Sequence, residues 1–322
     1  LPRTKVGDSM IECLVQVNSK IYDISGLVTD IEYTDSLNDG CSKLEFEYID
    51  TDLVITNGSV VRFKYNDTNI FYGKVFKTGR AKDKARTVTA YDQLRYCKSK
   101  DTIVVNKDTT STLVKKMSSY FGLTVGTIED TKYVLATSVQ DDKTWLDIVY
   151  DSIADTLVGK SKKYRLADEF GSITLRDIES LKLNLILGDE SLCYDFDHEL
   201  SIDDNFYNQI KLVSDNESTG KRDVYITKDS ASIKKYGLLQ YFETMDKNYN
   251  STQAKKRADA LLSLYNHETE SLDLDCIGDV RIRAGVSFYG LIDDINLNRR
   301  LLVNKVTHKF LPTHTMNLEV AT

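Results

Sequence analysis

Proline is nearly missing from this chain of 322 residues: only Pro2 and Pro312 occur. A Pro-rich linker between domains is therefore excluded. Histidine is scarce as well, with four copies, His198, His267, His308 and His314, and no HExxH pattern among them. That narrows the room for acid–base and zinc chemistry. The five cysteines, Cys13, Cys41, Cys97, Cys193 and Cys276, are odd in number, far apart and form no CxxC. A dense disulfide scaffold is excluded, and the thiols read as free and mostly buried in a reducing cytoplasm. No apolar run approaches the roughly 18 residues of a membrane span, and none at the N-terminus has signal-peptide length. Sequons such as Asn66-Asp67-Thr68 then carry no glycan message. GxGxxG, Walker and GxSxG patterns are also absent.

What is present is a soluble globular mixture, 41% apolar and 28% charged. The length suggests about two domains, or a few smaller ones. Lys and Arg total 42 against 49 Asp and Glu, a formal charge of −7. A diffusely acidic surface repels phosphate, which argues against sequence-independent nucleic-acid binding. Tyrosine is abundant, with 19 copies. Together with plentiful Val, Ile and Thr it points to strands.

The first hundred residues alternate with period two. Leu27, Thr29, Ile31 and Tyr33 fall on one face against Val28, Asp30, Glu32 and Thr34. Leu44, Phe46 and Tyr48 do the same, as do Val61, Phe63 and Tyr65. Turn signals at Asn38-Asp39-Gly40, Asn57-Gly58 and Asn66-Asp67 separate these runs. This predicts a small antiparallel barrel or sandwich over 10–101. The preceding residues 1–9 read as an arm or a remnant, since Met10 is the first methionine. From 102 to 193 the period mixes. A helix is expected over 109–121, capped by Asp108 or Thr109. A second is expected over 142–158 with Asp142 as cap and Gly159 as stop, followed by a hairpin over 163–177. Strand patterns over 208–214, 222–227, 268–275, 280–288, 301–310 and 314–320 predict a second β-domain from 194–229 and 267–322. The helices 230–236, capped by Ser230, and 251–266 form an excursion over 230–266. The expected fold class is α+β, mainly β, with two antiparallel β-domains, a mixed insertion and a helical excursion. No exact sequence repeat is visible, although β-rich segments flank a mixed middle.

Four constellations invite a chemical reading. Asp195-Phe196-Asp197-His198 superficially suggests a metal, but on a strand the two Asp share a face and His198 points away. These read as solvated strand charges. His308 and His314 can approach across a C-terminal hairpin and read as structural. Ser232-Ile233-Lys234-Lys235, Ser214-Asp215-Asn216 and Lys77-Thr78-Gly79 match the SxxK, SDN and KTG signatures of penicillin-recognising enzymes, yet in reversed chain order. The pairs Asp141-Asp142, Asp203-Asp204 and Asp293-Asp294 read as turn and cap residues, because adjacent carboxylates cannot face each other across a cleft. No catalytic, cofactor-binding or metal-binding residue is expected.

Several segments resemble one family. They include Ile70-Phe71-Tyr72-Gly73-Lys74-Val75, Ala90-Tyr91-Asp92-Gln93-Leu94-Arg95-Tyr96, Ser232-Ile233-Lys234-Lys235-Tyr236-Gly237-Leu238-Leu239-Gln240 and the ending His314-Thr315-Met316-Asn317-Leu318. From Met10 onward the chain resembles the XkdQ/YqbQ proteins of contractile phage tails and phage-tail-like bacteriocins, which are related to the phage late control D baseplate hubs. The resemblance implies a non-enzymatic baseplate hub in a virion or phage-like particle, assembled in the host cytoplasm. It implies tube-like β-domains, two per chain, in a homotrimer that adapts a six-fold tube above to a three-fold spike below. Its partners would be further copies of itself, the tail tube protein, the central spike and other baseplate proteins, with no sequence-specific nucleic acid and no membrane. The alternatives are a tail-associated cell-wall hydrolase and a glycan- or receptor-binding tail module.

Overall fold

Alternating apolar residues become paired strands because every second side chain leaves water while the backbone is satisfied by its neighbours. The computed structural model describes all residues except 1–3, 7–8, 50–51, 81, 83–84, 204, 217–219, 246–249 and 322. The first lobe holds β1 (Thr4–Val6), β2 (Ser9–Val17), β3 (Lys20–Asp23), β4 (Val28–Ser36), β5 (Lys43–Tyr48), β6 (Val60–Tyr65), β7 (Thr68–Arg80) and β8 (Arg86–Tyr91). A 3₁₀ turn at Gln93–Lys98 leads into a mixed module. This contains β9 (Lys100–Val105), α1 (Thr110–Tyr120), β10 (Val125–Ile128), β11 (Ser138–Thr144), α2 (Trp145–Lys160), β12 (Tyr164–Asp168) and β13 (Ile173–Asp177). β14 (Lys182–Gly188) and β15 (Cys193–Ser201) open a second lobe. The chain leaves it for β16 (Gln209–Asn216), β17 (Lys221–Lys228), α3 (Ser230–Tyr236), β18 (Gln240–Thr244) and α4 (Ser251–Tyr265). It returns as β19 (Thr269–Ile277), β20 (Ser287–Ile292), β21 (Leu297–Lys309) and β22 (Thr315–Ala321).

The two lobes are one design used twice. Their strand orders are β2-β6-β7-β8-β5-β4 and β14-β20-β21-β22-β19-β15. Register agrees as well as order. In the first lobe Lys74 lies opposite both Val60 and Tyr91. In the second, Leu302 lies opposite both Ser287 and Ala321. Two residues later, each long strand carries one extra residue, Phe76 or Asn304, against an uninterrupted partner. Such a bulge is a specified feature of a sheet. The corner before it also repeats. The N–H of Gly58 donates to the Val75 carbonyl at 2.8 Å, and that of Gly285 to the Val303 carbonyl at 2.7 Å. Both glycines sit at positive φ, 88° and 82°, where a side chain would be strained. At the far side, β4 carries an extra Thr29 against β5, and β15 an extra Tyr194 against β19. β15 thus stands in the second lobe where β4 stands in the first. One pairing departs from the repeat: β14 runs parallel to β20, whereas β2 is antiparallel to β6.

Several expectations require correction. The strands expected over 208–214 and 222–227 do not join the second lobe. With β18 they form a separate three-stranded sheet whose buried face, Ile210 and Leu212, packs on Ala254, Ala258 and Leu261 of α4. Alternation told which residues are inward but not which core receives them. Residues 182–193, expected in the mixed module, begin the second lobe instead, because β14 pairs with β20. The strand expected over 280–288 is mostly turn: Asp279 accepts from the Arg281 N–H, Gly285 turns the chain, and pairing starts at Ser287. Asp142 does not cap α2. It lies in β11 at φ 53°, and Thr144 is the cap. The helix also runs through Gly159 to a left-handed Ser161. Asp229, not Ser230, caps α3. Along β4 the bulge at Thr29 resets the phase, so Val28 is buried with Ile31 and Tyr33, and Thr29 is exposed. The expected arm at 1–9 lies largely outside the described residues, apart from β1, which pairs with β2.

Candidate assembly interface

The lobes are joined by a strand that changes partners. Residues 297–302 of β21 pair with β20, while Lys305–Lys309 pair with β4, from Lys305 opposite Ser36 to Lys309 opposite Glu32. The Leu37 N–H extends this seam to the Asn304 carbonyl at 2.7 Å, and the Phe310 N–H extends it to the Ile31 carbonyl at 3.0 Å. One sheet of 14 strands results. Phe310 and Leu311 then enter the core of the first lobe. The Phe310 ring lies 4.8 Å from Phe63 and 5.0 Å from Tyr65.

His308 and His314 do meet, Nδ1 to Nε2 at 3.0 Å, and His308 Nε2 lies 2.9 Å from the Ile282 carbonyl. Burial, reinforced for His308 by the Arg283 charge, lowers their pKa values to about 3 and about 4. Both rings are therefore neutral near pH 7. The carbonyl requires a proton on His308 Nε2, so Nδ1 accepts from His314 Nε2–H. Arg283 lies over the Tyr33 ring at 4.6 Å and donates to the Ile70 carbonyl at 3.0 Å. Asp35 ties three parts together. It pairs with Arg165 of the mixed module at 3.0 Å, both side chains under a tenth exposed, and accepts from the Ala284 N–H at 3.2 Å. Its role was missed although β4 signalled it: Asp35 is the next inward position after Ile31 and Tyr33.

The mixed module grips the first lobe through Asn38 and Asp92. The Asn38 amide donates to the Tyr164 carbonyl at 2.7 Å and accepts from the Leu166 N–H at 2.9 Å. Asp92 accepts from the Ser42 N–H at 2.8 Å and hydroxyl at 2.6 Å, and from the Leu94 N–H at 2.9 Å. Burial first, then the charge of Asp168, pushes its pKa up to about 8.

The enzyme-like constellations stay scattered. Ser232 lies on α3, Ser214 on β16 and Lys77 on β7, and among the described residues no hydrogen bond links any two of these motifs. His198 bonds Glu270 at 2.8 Å, while Asp195 and Asp197 are exposed on β15. Among the described residues no cluster of three metal-ligating side chains occurs. Asp141 accepts from Thr102, and Asp142 pairs with Lys100 at 3.0 Å. Asp293 opens a 3₁₀ turn, and Asp204 lies outside the described residues. No helix of the described residues is long and apolar enough to cross a membrane.

What the surface offers is strand edge. Among the described residues β15 closes one end of the large sheet and pairs only with β19. Tyr194 and Leu200 on it are more than half exposed. Beyond Val75, β7 has β8 on one side and no described strand on the other.

A family model described as YQBQ-like matches residues 31–321. Two relatives from Bacillus subtilis (strain 168), the uncharacterized protein YqbQ and the phage-like element PBSX protein XkdQ, are each 26% identical. The matches run over 270 and 271 residues, 83% of this chain and 82% of each relative. The solved 43 kDa tail protein of prophage MuSo2 from Shewanella oneidensis is similar with a TM-score of 0.72 and 13% identity, covering 96% of this chain and 98% of that one. With its mainly antiparallel β architecture, the chain has the fold of a phage tail protein and belongs to the YqbQ-like family that also holds XkdQ.

Proposed function

We propose that this chain is the structural hub of a contractile-tail baseplate, placed between a six-fold tail tube and a three-fold spike. The observation that carries the reading is the repeat. A chain with two lobes of one design presents six like faces from three copies, while the chain itself repeats three times. One subunit then satisfies both symmetries. The partners in this reading are two further copies of the chain, the tube protein above, the spike below and neighbouring baseplate proteins. It needs no catalysis, and the binding surfaces are strand edges. The acidic balance suits a lumen that must not hold nucleic-acid phosphate.

The test is an electron cryomicroscopy reconstruction of the assembled tail end. Three copies alternating their lobes around the axis, with polar and acidic faces toward the lumen, are expected. Six copies at that position, or a lumen lined by Lys and Arg, would overturn the reading. A peptidoglycan-release assay on the purified chain is expected to give no turnover.

A further inference from the structure

The internal repeat contains one filled slot and one empty slot at equivalent places. In the second lobe, the outer side of β21 past the Asn304 bulge is occupied by β4. In the first lobe, the corresponding side of β7 past the Phe76 bulge faces no described strand. The strand equivalent to β4 is β15, and the outer side of β15 faces no described strand. We infer that β15 of a second copy of this chain adds to the end of β7, in the register by which β4 adds to β21.

The register follows from the repeat. Lys305, Val306, Thr307 and His308 of β21 correspond to Lys77, Thr78, Gly79 and Arg80 of β7, counted from the bulge. Ser36, Asp35, Thr34 and Tyr33 of β4 correspond to Ser201, Leu200, Glu199 and His198 of β15, counted from the extra residue. Transposing the seam pairs Lys77 with Ser201, Thr78 with Leu200, Gly79 with Glu199 and Arg80 with His198 across the two copies.

Two independent observations fit. Exposure is the first. Asp35 is 7% exposed, but its counterpart Leu200 is 57% exposed; Val306 is 0% exposed, but its counterpart Thr78 is exposed. Leu200 and Thr78 are the positions that the missing strand would cover. Charge is the second. β15 carries Asp195, Asp197 and Glu199, and the end of β7 carries Lys77 and Arg80. In this register Lys77 and Glu199 are diagonal neighbours of opposite charge on one face, which favours it, while Arg80 lies opposite His198 on the other face. The contact is head-to-tail, so it continues from copy to copy until rotation closes a ring. The inference rests on the hub reading only for the number of copies. The edge pairing itself rests on the repeat.

The test is register-specific crosslinking of the full chain. Cys41 and Cys193 are first replaced by Ser, since the other three cysteines are buried. Chains carrying Lys77→Cys are mixed at high concentration with chains carrying Ser201→Cys and oxidised. Lys305 and Ser36 flank the Leu37–Asn304 hydrogen bond, so their transposed pair is the closely spaced kind that fits disulfide geometry. A disulfide-linked dimer is expected, at several-fold higher yield than with Leu200→Cys as the partner. Separately, in chains that keep the native thiols, Lys77→Glu is expected to weaken self-association about tenfold, and added Glu199→Lys to restore it. Equal yields for the two partners, crosslinks only elsewhere, or chains that stay monomeric would overturn the edge pairing. None of those results touches the hub reading, which the symmetry at the tail end decides.

Discussion

The two lobes solve the same packing problem with opposite placements of bulk. In the first, Val61 faces Gly73 and Phe63 faces Phe71. In the second, the same two layers hold Phe288 facing Leu301 and Gly290 facing Arg299. A Cβ on Gly73 would lie 2.2 Å from the Tyr91 carbonyl oxygen and 2.6 Å from the Phe71 ring, so that ring fills the space above it. A Cβ on Gly290 would lie 2.4 Å from Leu301, which fills the corresponding space from the other strand. Backbone register is kept while large and small residues trade layers. Interiors demand filled volume more than particular residues.

The sharpest way to break the comparison is at Asp35 of β4. Asp35→Ala leaves the buried Arg165 guanidinium only its longer ion pair with Glu169, at 3.6 Å, and removes the acceptor of the Ala284 N–H; a loss of about 4 kcal/mol is expected in urea unfolding. Next comes the exchanged layer. Leu301→Ala opens a void beside Gly290 and is expected to cost about 3 kcal/mol, with a lowered urea midpoint as the readout. The seam also separates from the module by its pH response. The seam histidines have folded pKa values below the ordinary 6.5, so the unfolded chain binds more protons between about 4 and 6.5. Stability is therefore lost as pH falls through that window, by up to about 1.4 kcal/mol per unit for each ring. His314→Phe is expected to remove one of the two equal histidine contributions to the slope in denaturant titrations at stepped pH. Asp92 acts with the opposite sign. Its folded pKa of about 8 lies above the ordinary 3.8, so the folded chain holds the extra proton and stability falls as pH rises between them. Asp92→Asn is expected to flatten the part from 6.5 to 8, where the histidines are silent. The smallest effect belongs to β15: Leu200→Ala is expected to change monomer unfolding by no more than about 0.5 kcal/mol, against the large loss at the equivalent Asp35.

Much of this was legible. Inward Leu44, Phe46 and Tyr48 follow the period-two pattern, and so do Val61, Phe63 and Tyr65. α1, α3 and α4 lie within a residue or so of the spans expected for them, although Asp229 rather than Ser230 caps α3. The resemblance pointed to the tail family. The repeat was not legible, because exchanging Phe and Gly between layers removes residue identity while leaving hydrogen-bond register intact. Bulges were hidden for a related reason: Thr29 and Tyr194 differ from strand residues only in what lies across from them. Asp35 looked like one more strand carboxylate until Arg165, 130 positions away, was seen beside it.

β21 has a mechanical meaning. Its thirteen residues contain neither glycine nor proline and belong to both lobes' pairing at once. A hinge needs a few residues free to absorb a change in φ and ψ, and none is offered along this strand. A pull along β21 loads the pairs from Lys305–Ser36 to Lys309–Glu32 in shear, so they must yield together rather than one after another. The lobes therefore move as a single plate, and an impulse delivered to one reaches the other without being spent on bending between them.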